Sequence, residues 1–382
     1  MSQPDPGPGP APERRPPGSF RLGTIAGSEV RITSSWFLVA ALIAFVMAPR
    51  VDEVQPDLGG FKYLVGFTFA VVLYMSVLLH EASHAVMAKR YGFQVDSITL
   101  HFLGGMTAIR GESTTPRQEF AIAVVGPLTS LAVGGAALAL WFVTPDGLLL
   151  MAVEGLAGAN LLIGALNLVP GLPLDGGRVL KAAVWGATGR VHTGTMAAGW
   201  GGRVVAVLAL TWPVWQETLF DAPADTLDII LSFVVAAFLW SGASAAMNNA
   251  KVRRKLPALV ARDLARRTLS VPGDLPLAEA VRRAREAEAG GIITVTTAGS
   301  PEGVVNEEAL LATPEERRPW VPVSAVTRTV EAGLRLPVAI TGEDLVRAIT
   351  EHPATEYLLV EEDGSIYGVL STADVDRAFR EA

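Results

Sequence analysis

The apolar runs between Ile32 and Asn248 constrain this chain more than any other feature of it. Stretches near residues 33–49, 62–88, 119–143, 148–170, 199–216 and 226–248 each approach the roughly 17 to 25 residues that carry a helix across a hydrocarbon core. In lipid every backbone N–H and C=O must find its partner inside the protein, which leaves helices or closed barrels as spanning structures. Runs this long and this continuous belong to helices. Composition agrees, since 18% of the residues are charged where an ordinary soluble domain carries about 25%. The reading is a polytopic α-helical membrane protein with about six transmembrane helices.

The two ends of the chain differ from this middle. Residues 1–29 begin MSQPDPGPGPAPERRPPGSF, Pro/Gly-rich and without an apolar core of signal-peptide length, and read as a disordered leader. A membrane domain follows over 30–250, and from Lys251 onward the chain turns charged and amphipathic as a soluble domain does. Basic residues flank the spans unevenly. Arg14, Arg15, Arg21, Arg31, Lys89, Arg90, Arg110, Arg117, Arg178, Lys181, Arg190 and the Lys251 to Lys255 cluster all fall on one side of a six-span layout, and only Arg50 and Lys62 flank the other. Basic loops stay cytoplasmic, so the expectation is a multi-pass protein of the cell membrane with both termini cytoplasmic. The chain has no cysteine, which excludes disulfide scaffolds, Cys-ligated zinc ribbons, iron–sulfur clusters and thiol nucleophiles. A net charge of -7 with no long basic run gives no electrostatic footprint for nucleic acid.

Inside the second apolar run stands His80-Glu81-Ala82-Ser83-His84. On a helix the histidines at i and i+4 share a face, so both rings can bind one Zn²⁺ while Glu81 beside them stays free to handle a proton. Ionisable groups at membrane depth are costly and need partners and a purpose. A pair of histidines needs a third protein ligand reaching the same depth. Asp175 is the candidate, because Asn167-Leu-Val-Pro170-Gly-Leu-Pro173-Leu-Asp175-Gly176-Gly177-Arg178 ends the fourth run, where Pro and Gly open the helix and turn polar groups inward. The other reading of Asp175 is a plain turn acid in P-L-D-G.

These two motifs together resemble the site-2 protease family of zinc intramembrane metalloproteases, over about Val30 to Asn248. The resemblance implies one catalytic Zn²⁺ held by His80, His84 and Asp175, with Glu81 as the general base that activates its water. It also implies that Asn167 orients substrate or steadies the developing oxyanion; a helix–helix hydrogen bond is the alternative for Asn167. Residues Val95 to Ile109 alternate and turn at Gly104-Gly105, which reads as a β-hairpin. It resembles the family's membrane-associated sheet, which implies that Gly104 and Gly105 lie where an extended substrate is held by β-addition; simple packing on the helices is the other reading. No loop is long enough for a PDZ domain. In this family the substrate is a membrane-tethered protein such as an anti-sigma factor or a pro-transcription factor, cut by regulated intramembrane proteolysis.

The soluble part repeats itself at an offset of 65 residues: PLAEAVRRA at Pro276 matches TGEDLVRAI at Thr341, IITV at Ile292 matches YLLV at Tyr357, and GVVNEEAL at Gly303 matches GVLSTADV at Gly368. Each copy reads helix, strand, turn, strand, helix. The pair, over residues 256–382 with copies at about 256–315 and 320–382, resembles tandem CBS domains, an α/β module. The resemblance implies ATP or AMP at the second copy, with Ser371 or Thr372 on phosphate and Asp374 on ribose; the first copy has Asn306 and Ala309 at the matching positions. It equally implies a structural role in a homodimer. A rival for the whole chain is a CBS-gated metal or ion transporter using the same His80, His84 and Asp175 cluster. Glu81 separates the two, since transport needs ligands on a path and hydrolysis needs a carboxylate beside an open metal position.

Overall fold

The computed structural model describes residues 18–102, 104–297 and 299–381. The chain divides into two units, residues 1–250 and 251–382.

The first unit opens on a hairpin, β1 (Ser19–Ile25) and β2 (Ser28–Thr33), followed by helices α1 (Ser34–Val54) and α2 (Phe61–Arg90). Strands β3 (Gln94–His101) and β4 (Gly104–Arg110) come next, then α3 (Pro116–Trp141), α4 (Leu148–Asn167), α5 (Asp175–Thr188), α6 (Val191–Leu210), α7 (Trp212–Phe220) and α8 (Thr226–Lys255). Five of these helices, α1, α2, α3, α4 and α8, are long and apolar enough to cross a membrane. The pair α6 and α7, bent by 54°, makes a sixth if counted as one broken span. The fourth apolar run therefore ends earlier than its hydropathy suggests. Pro170 and Pro173 cannot donate backbone hydrogen bonds, α4 stops at Asn167, and the chain restarts as the short helix α5. The fifth run begins earlier than expected, at Val191, and breaks next to Pro213.

Burial in this unit is inverted relative to a soluble protein. Large side chains such as Leu42, Phe45 and Phe233 are exposed, while Ala40, Ala44, Ala70, Ala85, Ala88 and Ala123 are buried. Small residues let helices approach closely where there is no hydrophobic drive between them. At Gly66 of α2, for example, a Cβ would lie 2.8 Å from the Ala44 backbone of α1.

The predicted hairpin over Val95 to Ile109 is present as β3 and β4, but it belongs to a larger sheet of order β1-β2-β3-β4. The β2–β3 pair is parallel and the other two are antiparallel. The expectation of a disordered leader reaching residue 29 is corrected here. Residues 19–33 form the hairpin, turned at Ala26 and Gly27 with φ of 49° and 77°, as a two-residue hairpin turn requires; residues 1–17 of that leader lie outside the described residues. Val30, Ile32, Val95, Ile98 and Leu100 of the sheet pack on Ala82, Ala85 and Ala88 of α2. Strand β4 is an edge strand, and it runs beside the stretch of α2 that carries Glu81.

The second unit repeats one motif. After the short α9 (Ala261–Leu264), the first copy is β5 (Thr268–Pro272), α10 (Leu277–Glu286), β6 (Gly291–Val295), β7 (Pro301–Val305) and α11 (Glu307–Ala312). A strand β8 (Thr327–Thr329) completes its sheet. The second copy is β9 (Arg335–Pro337), α12 (Gly342–Glu351), β10 (Glu356–Val360), β11 (Ile366–Ser371) and α13 (Thr372–Glu381). The helix and strand starts obey the offset of the sequence repeat. Each copy also has a leading strand, β5 or β9, paired in parallel with the middle strand; this is one strand more than the sequence reading assigns. The apolar faces of the second copy, with Tyr357, Leu358, Leu359 and Leu370 fully buried, meet Ile293 and Val304 of the first in one core, so each copy covers the other's sheet.

Candidate metal centre

Three elements build the centre. Helix α2 supplies His80 and His84, one turn apart and both buried. Helix α5 supplies Asp175 as its first residue. The Asp-Gly-Gly start of α5 reflects close approach: a Cβ at Gly176 would strike the Leu168 and Val169 backbone, and one at Gly177 the Gly171 and Leu172 backbone. Only glycines let α5 begin against the broken segment and bring Asp175 inward.

The three side chains converge. Asp175 Oδ2 lies 3.1 Å from His80 Nε2 and 3.2 Å from His84 Nε2, and the two Nε2 atoms are 3.2 Å apart. The third element, α3, sets the rings. His84 Nδ1 donates to the Ile122 carbonyl at 2.6 Å, and His80 Nδ1 shares a hydrogen bond with Ser130 Oγ at 2.9 Å. Because a carbonyl can only accept, Nδ1 of His84 carries a proton, which in the neutral ring leaves the Nε2 lone pair as the inward-facing donor to a metal. That lone pair faces a carboxylate oxygen and a second imidazole nitrogen. Such a convergence of donors is satisfied either by a shared proton or by a metal cation held between them. The separations match the donor set of a zinc site, where ligands at about 2.0 to 2.1 Å in tetrahedral array stand about 3.3 Å apart. His80, His84 and Asp175 therefore fit zinc, and their outer hydrogen bonds are of the kind that orient metal ligands.

Glu81 stands outside this triangle. Its Oε2 accepts from Thr107 Oγ1 of β4 at 2.7 Å, and its own carbonyl lies 3.1 Å from the same hydroxyl. Gly105 of β4 lies directly against it, and a Cβ there would collide with Glu81 Cγ and come within 2.9 Å of Cδ. The hairpin glycine thus makes room for Glu81. Gly104, with φ of 128°, opens the strand and has open space around it. A cavity of about 280 Å³ lined by Thr107, Glu112, Ser113, Ile122, Arg178 and Lys181 adjoins these groups.

Residues 68–148 and 146–210 match the profile described as peptidase family M50. Over those residues the chain is similar to that family. Among curated relatives, "Putative zinc metalloprotease sll0528" of Synechocystis sp. is 28% identical over 372 residues, 94% of each chain. "Putative zinc metalloprotease Rip3" of Mycobacterium tuberculosis is 39% identical over 201 residues, which is 50% of this chain and 49% of that relative. Among solved structures, the site-2 protease from Methanocaldococcus jannaschii is 25% identical and covers 60% of this chain and 95% of its own, with a TM-score of 0.41. A CBS-domain containing protein from Agrobacterium tumefaciens is 22% identical and covers 32% of this chain and 93% of its own, with a TM-score of 0.26. Both curated relatives carry the name zinc metalloprotease, and this chain has the five helices long and apolar enough to cross a bilayer that a membrane protease needs.

Four residues of the centre escape sequence reasoning: Ser130, Gly126, Ile122 and Thr107. A Cβ at Gly126 would fall against the Nε2 atoms of both histidines. The available signal is weak, a Gly126-Pro127 pair and a Thr129-Ser130 pair in an otherwise apolar span. Asn167 is the last residue of α4 and half-buried; its side chain makes no hydrogen bond among the described residues. In the tail, Ser371 is buried and lines a cavity of about 180 Å³ with Arg266, Glu307 and Glu356. Asp374 is already engaged, because its Oδ2 accepts from Arg266 Nε at 2.5 Å while Arg266 Nη1 donates to Glu307 at 2.8 Å. These carboxylates hold the Arg266 guanidinium well above its ordinary pKa, the hydrogen bond to Asp374 contributing most.

Proposed function

We propose that this chain hydrolyses a peptide bond in or near the transmembrane segment of a membrane-tethered protein, by regulated intramembrane proteolysis. One observation carries the reading: a buried His80, His84 and Asp175 triangle with a carboxylate, Glu81, fixed beside it and excluded from it. Zinc, when bound there, supplies Lewis acidity and brings the pKa of water towards about 7. The residues around it divide the remaining work. Glu81 takes the proton of the attacking water and returns it to the leaving amide nitrogen. Thr107 fixes the carboxylate's direction, and the cavity beside Thr107 and Ile122 admits water from the side carrying Arg178 and Lys181. That side is the cytoplasm by the basic-loop argument, with both termini there. The free edge of β4, at Gly104 and Gly105, pairs with a substrate segment drawn out as a strand. Asn167, beside the break in the fourth span, faces the substrate carbonyl.

The tail tunes this activity in the cytoplasm. An adenine nucleotide, ATP or AMP, enters the cleft at Ser371 and draws Asp374 away from Arg266, and the tail also pairs with that of a second copy. The substrate is a tethered regulator such as an anti-sigma factor or pro-transcription factor. Because Glu81 is a proton-handling group held outside the ligand set, hydrolysis is favoured over transport. The test is cleavage of co-expressed single-span substrates by the intact chain and by Glu81→Gln, with zinc measured on both purified proteins. The expected result is a loss of about 10² to 10⁴ in cleavage with zinc retained. Zinc in both, cleavage by neither and altered metal flux in vesicles would replace this reading with the transporter.

A further inference from the structure

The three ligands come from two helices, α2 and α5, and only the histidines are held by hydrogen bonds from α3. What holds Asp175 in place is therefore a separate question. Glu119, in the first turns of α3, is 4% exposed, and its Oε1 accepts from Arg178 Nε at 3.1 Å and Lys181 Nζ at 3.3 Å. Arg178 and Lys181 are three and six residues beyond Asp175, so that Arg178 neighbours Asp175 on α5 and Lys181 neighbours Arg178. On α3, Glu119, Ile122, Gly126 and Ser130 follow helical spacing along one stripe. Ile122 orients His84, Ser130 orients His80, and Gly126 gives both rings their space. One face of α3 thus touches every ligand-bearing element, and among the described residues Glu119 makes its side-chain hydrogen bonds to α5.

We infer that Glu119 is a positioning residue for the metal centre, clamping α5 through Arg178 and Lys181 so that Asp175 reaches the histidines. The inference rests on the metal reading above. A neutral residue at 119 leaves two cations beside a site built for a divalent ion and frees α5 to rotate or slide. A single carboxylate bridging two cations from below one ligand is a more specific device than an apolar contact, because it fixes both the rotation and the height of the helix.

The experiment uses the full chain purified in detergent. Zinc affinity is measured by chelator competition for the wild type, Glu119→Gln, Asp175→Ala and the double variant, alongside the visible band of the cobalt-substituted proteins. Glu119→Gln is expected to bind zinc about 10- to 100-fold more weakly and to shift the cobalt band. It is expected to cause no further loss when Asp175 is already alanine, because it acts through that ligand. Wild-type affinity with an unchanged band overturns the clamp, as does an equal loss with Asp175 absent, which is the signature of general destabilisation. If Glu119→Gln does not purify folded, Arg178→Gln carries the same comparison. A wild type that binds no zinc removes the metal reading itself, whereas zinc in the wild type with no effect at 119 removes the clamp alone.

Discussion

The metal centre and the cleft of the tail are lined by similar groups, carboxylates beside nitrogen donors, yet they are satisfied in opposite ways. In the centre, the Nε2 lone pair of His84 confronts the oxygen of Asp175 and the nitrogen of His80, with the outer nitrogen of each ring already committed to α3. In the cleft, Arg266 lies between Asp374 and Glu307, and Glu356 accepts from Asn306 Nδ2 and the Glu307 amide. Buried polar groups normally find partners within the fold. A cluster whose ligand atoms converge on one point at metal-ligand spacing is ready for an ion, whereas a cluster that closes on itself must be opened before it can bind a ligand.

That contrast can be broken at three places. The largest effect is expected from Asp175→Ala, which removes a ligand outright; zinc affinity should fall by more than about 100-fold, and full zinc content by elemental analysis would take Asp175 out of the centre. Next comes Gly105→Ala. The added carbon displaces Glu81 without touching a ligand, so cleavage should fall by about 10- to 100-fold, the scale of a misplacement of about 1 Å, with zinc unchanged; normal cleavage would show that β4 can yield. The smallest effect belongs to the cleft. Asp374→Ala should weaken ATP or AMP binding by about 10-fold, the worth of one charge-assisted hydrogen bond. Calorimetry giving the wild-type constant would mean that Arg266 keeps Asp374 and the nucleotide does not.

What could be read in advance follows the range of the interactions concerned. His80, Glu81 and His84 are legible because helical spacing alone brings them to adjacent positions. Asp175 is legible because prolines and glycines beside it announce a break at membrane depth. Thr107, Ser130 and Ile122 are not, because what qualifies them is the packing of α3 and β4 against α2, and Ile122 acts through a carbonyl that every residue has. The β1–β2 hairpin was hidden for a different reason. The Pro/Gly-rich stretch before it dominates the composition of the N-terminus, while its own signal is a short alternation, Phe20 to Thr24 and Glu29 to Thr33, around Ala26-Gly27. In the tail, the repeat gave the helices and the paired strands, but β5 and β9 fall outside the matched segments and differ in sequence.

Gly126 has a consequence for anyone who reads chains of this kind by their motifs. The position contributes no donor, no charge and no contact of its own; what counts there is a missing carbon, since a methyl group would stand where the two ring nitrogens meet. The rings cannot easily retreat, because Ser130 and the Ile122 carbonyl hold their far sides. A sequence with His80, Glu81, His84 and Asp175 all in place but a larger residue at 126 would keep every letter of the signature and lose the space in which it operates. The signature is necessary, and the vacancy facing it is a second, silent half of the same requirement.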